Sequence, residues 1–397
     1  MPLRPHTDML HIPVMTDTPP IKRLAVIYPK AIGDFLFLLP ALHSIRKAFP
    51  DTHITLVVKS KQAPLAVPQK NVLADEILVL GGRSSWRDVR RRLSEQKADT
   101  VVDMAGNDQA GLILTWRGGR RIRPRLRDGK GLCALYSPFA ETFPRLPAGR
   151  HRVEELLCFA EHLGATERVY SFRMKLPDQA VEESEKVIAA HDLHSGTVIA
   201  LNLGASRDTK RWPAEHFREL ARLLVAAGHR VVLMGARAFK ADGHYDRGVI
   251  ERFIQDGVVN HETCINLVTN HDLPPGLQLQ RDAHFLRYSN VPRVTVGNDT
   301  GPMHMAGSIG DDARNKTVSL FGPTNWGRYA PYDASRRFPD TPRGDWNHVL
   351  SFNPGCGPVH FQEACRCYRR GCAHKTCMVT LTPESVFEAV TAMITAS

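Results

Sequence analysis

Short apolar runs alternate with amphipathic segments along the first half of the chain. The apolar runs predict strands at Leu24–Ile27, Ile54–Val58, Ile77–Leu80 and Thr100–Asp103. Apolar residues at helical spacing predict one helix directly after Asp34 and others at Trp86–Gln96, Ala110–Trp116 and Val153–Leu163. This order of elements is typical of a mostly parallel sheet covered by helices.

The same alternation starts again at Thr197. The predicted strands are Val198–Leu203, Arg230–Met234, Cys264–Val268, Val294–Val296 and Thr317–Phe321. Helices are predicted to begin at Pro213, Pro302 and Pro383, because proline suits a first helical turn. The 397 residues also exceed what one hydrophobic core usually serves. We therefore predict an α/β protein with two Rossmann-like domains, at residues 21–180 and 190–382, facing a central cleft.

The two ends of the chain differ from these domains. Residues 1–20 contain prolines and an aspartate where a signal peptide needs an apolar core, so we expect a flexible leader and a cytoplasmic protein. No apolar run approaches the roughly 18 residues of a membrane-spanning helix. Residues 383–397 are predicted to form a last helix, with Thr382 as its cap.

Polar turns follow several predicted strands. The clearest are Gly33-Asp34, Ser206–Lys210, Asn298–Gly301 and Gly322–Thr324. Ligands of open α/β sheets bind beyond the carboxyl ends of the strands, so one cleft would collect all four turns. The turn at Asn298–Gly301 also precedes a helix, whose N-terminus offers amides and a positive dipole end to a phosphate. An ordinary capped strand–helix turn would have the same pattern.

Positive charge is concentrated in one stretch. The net charge is +11, and residues 117–130 contain six arginines and one lysine against one aspartate. This loop-like stretch favours an anionic partner such as a phosphorylated lipid, an acidic sugar or nucleic acid, although a solvated charged face would look similar. Nucleic acid is not expected, because there is no recognition motif and no aromatic residue is interleaved with the arginines.

Five of the eight cysteines crowd into residues 356–377. Their spacing does not match the paired C-x2-C pattern of zinc knuckles, and a cytoplasmic protein does not usually hold disulfides. The alternatives are plain thiols or a structural zinc or iron site formed by Cys356, Cys365, Cys367, Cys372 and Cys377.

The ordered set of motifs resembles glycosyltransferase family 9, whose best-known members are ADP-heptose:lipopolysaccharide heptosyltransferases. The resemblance spans about residues 22–394 and rests on AIGDFLFLLPALHSIRKAFP, NLGASRDTKRWPAEHFREL, INLVTNHDL, GNDTGPMHMAGSIG and SLFGPTN. It implies a GT-B fold, with a nucleotide-sugar in the C-terminal domain and an acceptor against the N-terminal domain. It also implies that the helix of residues 383–397 can pack back on the N-terminal domain.

The resemblance assigns the chemistry to two residues. Asp34 is the implied general base for the acceptor hydroxyl, although by itself it would be interpreted as a helix cap. Lys210 is the predicted cation for the departing diphosphate, because it lies in a polar loop before the helix that Pro213 begins. No Asp-x-Asp pair lies at a strand end to hold Mg²⁺, so catalysis without a metal or other cofactor is expected.

The remaining site residues are predicted around these two. Asp299 is expected to bind sugar hydroxyls, because a carboxylate beside a diphosphate would repel it. The other predicted donor contacts are Ser206, Thr209, Arg211, Met234, Gly235, Leu267, Thr300, Gly301, Pro302, Met303 and His304. Arg211 could equally face solvent, His304 could be structural, and Trp212 is expected to pack against the following helix. The predicted acceptor contacts are Gly33, Asn107, Arg117, Arg120, Arg121 and Arg123.

The resemblance implies inverting transfer of heptose from ADP-heptose to the core oligosaccharide of lipopolysaccharide. The partners would be the nucleotide-sugar, an anionic glycolipid and the cytoplasmic face of the inner membrane. One alternative keeps the fold but uses another nucleotide-sugar or a protein or exopolysaccharide acceptor, to which the cysteine cluster gives weight, since cysteine-bound iron occurs in related heptosyltransferases that modify proteins. Another is a non-catalytic sugar- or nucleic-acid-binding module.

Overall fold

Two α/β halves make up the described part of the chain. The computed structural model describes residues 20–81, 85–107, 110, 119–124, 141–143, 150–235, 244–258, 260, 262–268, 273–308, 315–333, 342–355 and 371–395. Each half contains a six-stranded sheet in which every neighbouring pair of strands is parallel. The predicted α/β fold with two Rossmann-like domains is therefore confirmed.

The N-terminal sheet has the strand order β3-β2-β1-β4-β5-β6. Its strands are β1 (Arg23–Ile27), β2 (His53–Lys59), β3 (Glu76–Leu80), β4 (Thr100–Asp103), β5 (Arg120–Pro124) and β6 (Glu141–Phe143). Its helices are α1 (Ile32–Ala48), α2 (Ala63–Ala66), α3 (Ser85–Glu95) and α4 (Arg152–Leu163). The central strands read as continuous apolar runs because helices cover both faces of a parallel sheet.

The C-terminal sheet has the order β12-β11-β10-β7-β8-β9, which repeats the N-terminal topology. Its strands are β7 (Val198–Asn202), β8 (Arg230–Met234), β9 (Cys264–Asn266), β10 (Pro292–Asn298), β11 (Lys316–Phe321) and β12 (Asn347–Ser351). The helices that accompany it are α5 (Asp178–Ala190), α6 (Ala214–Ala226), α7 (His244–Gln255), α8 (Pro275–Arg287), α9 (Gly301–Gly307), α10 (Trp326–Tyr329), α11 (Thr376–Val379) and α12 (Pro383–Thr395).

The arginine-rich stretch differs from its prediction as a loop. Residues 120–124 form β5, where Arg120 Nε donates to Glu141 Oε2 of β6 at 2.8 Å. Arg123 is completely buried. Strand-forming apolar residues are nearly absent from β5, so its periodicity could not be recognised. Arg117 lies outside the described residues. So does the predicted helix Ala110–Trp116, except for Ala110 itself.

The last helix also differs from its prediction. Within the described residues it packs against α6 and the C-terminal sheet, whereas the resemblance implied packing on the N-terminal domain. The reason is its apolar face, on which Val386, Ala389, Val390 and Met393 are buried in the same hydrophobic cluster as the side chains of α6. The predicted cap at Thr382 is confirmed, because Thr382 Oγ1 accepts a bond from the Ser385 N–H at 3.3 Å.

A short strap of the C-terminal half, residues 326–333, packs into the N-terminal half. Tyr332 is buried in the N-terminal hydrophobic cluster and stacks on Tyr170 with a centroid distance of 5.9 Å. His151 Nε2 donates to the Ala330 carbonyl at 2.8 Å, and Arg328 Nη2 donates to Glu155 Oε2 at 2.6 Å. The two halves are therefore joined by a buried core contact as well as by the chain.

None of the helices in the described ranges is long and apolar enough to cross a membrane.

Candidate active site

The strand order reverses at one point in each sheet, and the two points face each other. In the N-terminal sheet the reversal lies between β1 and β4, and in the C-terminal sheet between β7 and β10. The loop after β1 leads into α1, which carries Asp34, and the turn after β10 leads into α9. A Cβ atom built on Gly33 would lie 2.6 Å from His304 Cδ2 and 3.5 Å from Gly301 Cα. Ligands bind at such reversal points in doubly wound sheets.

The centre of the C-terminal side is a buried ion pair. Lys210 Nζ lies 2.5 Å from Asp299 Oδ2, and the two side chains are 10% and 5% exposed. The other carboxylate oxygen of Asp299 lies 3.6 Å from His304 Nε2. Burial alone would raise the pKa of Asp299, but the Lys210 ammonium and His304 outweigh it and hold that pKa well below its usual range. Asp299 is therefore a carboxylate at neutral pH, and Lys210 is held in one place beside it.

Asn298 fixes the loop that carries Lys210. Its Oδ1 accepts from the Trp212 N–H at 2.9 Å, and its Nδ2 donates to the carbonyls of Leu203 and Gly204 at 3.0 and 3.1 Å. Asn298 is the last residue of β10, which continues through Gly297, whereas the predicted strand ended at Val296. An amide at the end of an apolar strand was the available signal for this role, which sequence reasoning missed.

Two buried hydroxyls lie in the polar turns after β7 and β11. Thr209 Oγ1 and Thr324 Oγ1 are buried and have no hydrogen-bond partner among the described residues. Thr300 is different, because its Oγ1 accepts from Asn202 Nδ2 at 2.7 Å and donates to the Asn298 carbonyl at 3.1 Å. Buried polar atoms without protein partners suit a polar ligand. Of these hydroxyls, Thr209 and Thr324 can supply ligand contacts.

The N-terminal side combines Asp34 with two half-buried cations, Lys30 and Arg152. Helix α1 begins at Ile32, three residues earlier than predicted, and Asp34 Oδ2 accepts from the Ala31 N–H at 3.3 Å. Asp34 is therefore the third residue of the helix and not its N-cap, which is Ala31, although its carboxylate bonds back to the N–H of that cap. Its second oxygen remains for other bonds. Burial lowers the pKa of Lys30, and the neighbouring Arg152 guanidinium lowers it further.

Arg152 and Asp103 complete the N-terminal side. Arg152 Nη1 donates to Glu155 Oε2 at 2.7 Å, and its Nη2 donates to the Met104 carbonyl at 2.8 Å. Asp103 is fully buried, and burial raises the pKa of its carboxyl group although two backbone N–H groups donate to it. Sequence reasoning missed Lys30, Arg152 and Asp103, because only the fold brings these separated residues to the same sheet edge.

The predicted acceptor residues lie on different elements of the N-terminal half. Asn107 is close to the loop after β1, since its Nδ2 donates to the Pro29 carbonyl at 3.2 Å. Gly33 lies at the contact between the two halves. Arg120 is paired with Glu141, Arg121 is half-buried on β5, and Arg123 is buried. Acceptor binding by these residues stays a prediction.

The predicted donor residues also differ in exposure. Ser206 is exposed, and Arg211 Nη2 donates to the Ala205 carbonyl at 3.3 Å. Met234 and Leu267 are buried together at the ends of their strands, where Gln278 Nε2 donates to the Gly235 carbonyl at 3.1 Å. Trp212 is fully buried against Phe217 of α6, which confirms that it packs there. Pro302 and Met303 lie in the first turn of α9.

The cysteine cluster is described only in part. Cys372 and Cys377 lie in the described residues, whereas Cys356, Cys365 and Cys367 do not. Within the described part of the chain, no group of three or more His, Cys, Asp or Glu side chains could hold a metal ion. The zinc or iron site therefore stays a prediction.

Gly33 gives the first testable prediction. In a Gly33→Ala variant the new methyl group would overlap His304, which is itself buried between Asp299 and the Phe37 ring. Alanine suits a helix better than glycine by up to about 1 kcal/mol, so α1 itself should not weaken. We expect displacement of the two halves and a loss of catalytic turnover of about 10–100-fold.

The matched control is Gly81→Ala, because a Cβ atom there meets nothing within 4 Å. Turnover and thermal unfolding are measured for both variants. Equal turnover of the two proteins would show that the close approach of the halves is unimportant.

Comparison with known proteins decides the family. The family described as Glycosyltransferase family 9 (heptosyltransferase) matches residues 86–339, which is more than half of the chain. The chain therefore belongs to glycosyltransferase family 9. It is accordingly a glycosyltransferase, and the predicted family is confirmed.

Individual relatives are distant but extend over most of the chain. Lipopolysaccharide heptosyltransferase 1 of Escherichia coli K12 is 25% identical over 320 residues, which cover 75% of this chain and 92% of that protein. The family 9 glycosyltransferase structure from Veillonella parvula superimposes with a TM-score of 0.73 at 23% identity, covering 95% and 98% of the two chains. The E. coli heptosyltransferase WaaC with ADP gives a TM-score of 0.59 at 18% identity, covering 93% and 97%. The two structures show that this family 9 enzyme has the GT-B fold.

Proposed function

We propose that this family 9 glycosyltransferase moves a heptose from ADP-heptose to the core oligosaccharide of lipopolysaccharide, with inversion at the anomeric carbon. The proposal rests on one observation: two polar sites face each other across the contact between the domains. One is the first turn of α1 with Asp34, and the other is the buried pair of Lys210 and Asp299. An acceptor and a donor can meet between them.

Asp34 acts as the general base in this proposal. Its carboxylate takes the proton from the acceptor hydroxyl while that oxygen forms a bond to the anomeric carbon of the sugar. The bond between the anomeric carbon and the diphosphate oxygen breaks at the same time, and the electron pair leaves with the nucleoside diphosphate. A positioned base contributes about 10²–10⁴-fold to such a step.

Lys210 and the N-terminus of α9 stabilise the departing diphosphate. The Lys210 ammonium, which donates to Asp299 Oδ2 at 2.5 Å and to the Asp299 carbonyl at 3.4 Å, supplies positive charge to the phosphate oxygens. Asp299 keeps the Lys210 side chain oriented, and its oxygen on the His304 side can accept from a sugar hydroxyl. The hydroxyl of Thr209, which has no hydrogen-bond partner in the described part of the chain, lies in the same loop and can donate to a phosphate oxygen.

The choice of donor and acceptor is supported by the relatives. The curated relative from E. coli K12 is a lipopolysaccharide heptosyltransferase, and the structure of WaaC contains ADP. We accordingly propose a cytoplasmic enzyme whose partners are ADP-heptose and an anionic glycolipid at the inner membrane face, without nucleic acid.

The proposal is tested by measuring nucleotide release from ADP-heptose with and without a lipopolysaccharide core acceptor that lacks heptose. We expect release that depends on the acceptor and a product longer by one heptose. Parallel reactions with other nucleotide-sugars and with protein acceptors cover the alternative donors and acceptors. If acceptor-dependent nucleotide release occurs only with another nucleotide-sugar, that compound is the donor instead of ADP-heptose. Binding of a nucleotide-sugar without any transfer would indicate a non-catalytic module.

Transfer is expected to survive chelation of divalent metals. Lys210 and the positive end of α9 stabilise the negative charge of the diphosphate, as Mg²⁺ does at other diphosphates. Turnover measured with excess EDTA should remain within about twofold of the untreated enzyme. Loss of activity with EDTA and its recovery with Mg²⁺ would contradict this assignment.

A further inference from the structure

An apolar groove lies where the two halves meet, outside the proposed active site. Its volume is about 630 Å³. One wall is formed by α2 and the turn that follows it, and the other by the segment that connects the two domains. Most of the lining is apolar: Ala63, Pro64, Val67, Pro68, Leu176 and Pro177. We call residues 61–72 together with residues 175–177 the α2 corner.

The surface of the α2 corner combines exposed apolar and positive side chains. Val67 and Val72 are 49% and 43% exposed. Lys61, Lys70 and Lys175 are exposed around them, and the sequence from Lys59 to Ala74 contains no aspartate or glutamate. Exposed valines beside lysines, in segments that themselves contain no carboxylate, match a surface that is apolar inside and carries phosphates outside.

Two buried glutamines hold the α2 corner rigidly beside the active site. Gln69 Nε2 donates to the Lys175 carbonyl at 2.9 Å, and Gln69 Oε1 accepts from the Lys175 N–H at 3.0 Å. Gln62 Oε1 accepts from the N–H groups of Lys59 and Lys30 at 2.9 and 3.3 Å. Lys30 lies only four residues before Asp34, so the corner adjoins the loop that leads to the proposed base.

We propose that the α2 corner docks the enzyme on an anionic lipid bilayer. Val67 and Val72 enter the headgroup region, and the surrounding lysines contact lipid phosphates. This inference rests on the proposed function, because a lipid-linked acceptor in the same bilayer would then present its oligosaccharide to Asp34. Each basic residue near an anionic bilayer adds to binding, and so does each buried apolar side chain.

The test is flotation of the full-length protein with vesicles, without donor or acceptor. Vesicles of phosphatidylcholine with about 30% phosphatidylglycerol are compared with pure phosphatidylcholine, and we expect about tenfold or greater preference for the anionic vesicles. The double variant Val67→Glu/Val72→Glu should lose that binding by about tenfold or more. The matched control is Val379→Glu/Ile254→Glu, since these side chains are 47% and 50% exposed elsewhere. It should bind like the unmodified protein.

Two results would overturn the proposal. One is the absence of vesicle binding by the unmodified protein, and the other is equal loss of binding in the corner variant and the control. Thermal unfolding and transfer to an acceptor without its lipid anchor show that each variant is folded, and both should be unchanged. If the unmodified protein binds vesicles but neither it nor the variants transfer heptose from ADP-heptose, the proposed function is contradicted. The proposed docking surface would still stand.

Discussion

An Asp34→Asn variant is expected to fold and to bind ADP like the unmodified enzyme but to lose turnover by about 100-fold or more. The asparagine oxygen can still accept the bond from the Ala31 N–H, so the first turn of α1 should stay closed. The amide cannot take the acceptor proton. Turnover with saturating donor and acceptor is the measurement, and ADP binding is followed by thermal shift.

The control for Asp34 is Asp88→Asn. Asp88 is also an aspartate in the first turn of a helix, but it lies on the exposed surface of α3. Its replacement should change turnover by less than about twofold. Near-normal turnover of a folded Asp34→Asn protein would remove Asp34 from the role of base.

The second large effect is expected at Lys210. A Lys210→Met variant should lose about 10²–10³-fold of turnover, because the leaving diphosphate loses its cation. It should also lose about 3–5 kcal/mol of unfolding free energy, because Asp299 would be left as a buried carboxylate without its ion-pair partner. Urea unfolding and turnover measure the two effects separately.

Adding Asp299→Asn to Lys210→Met separates structure from catalysis. The double variant has no buried charge at this pair, so stability should largely return while turnover stays low. A double variant that regained turnover would show that Lys210 is only structural. The control is the pair of Lys375 and Asp208, also 2.5 Å apart, whose side chains are 30% and 59% exposed. Lys375→Met should cost less than about 1 kcal/mol of unfolding free energy.

The fold was predictable because its signals are local. Apolar runs marked β4 and β8 to the residue, and the order of strands and helices predicted two Rossmann-like halves. Strand β5 and the edge strands β6 and β12 were not predicted, because a short strand at or next to the edge of a sheet need not be apolar on both faces. The direction in which α12 packs was wrong, because an apolar face does not tell which of two similar domains it covers.

The candidate site was predictable in part. The polar turns after β1, β7 and β10 were recognised, and they do lie at the two points where strand order reverses. The contact between Lys210 and Asp299 was not predicted, since 89 residues separate them in the sequence. From the sequence, Lys210 was expected to bind the diphosphate and Asp299 the sugar, whereas in the structure the two side chains form an ion pair. Arg152 and Lys30 escaped notice for the same reason.

The strap of residues 326–333 has a consequence for synthesis on the ribosome. The aromatic side chain that closes the first hydrophobic cluster, Tyr332, is made after nearly all of the second sheet. Residues 20–180 emerging alone would leave the faces of Tyr170 and His151 uncovered. The first half is thus completed only once most of the second has been translated, and gene fragments cut between the two sheets would yield an N-terminal piece with an open core.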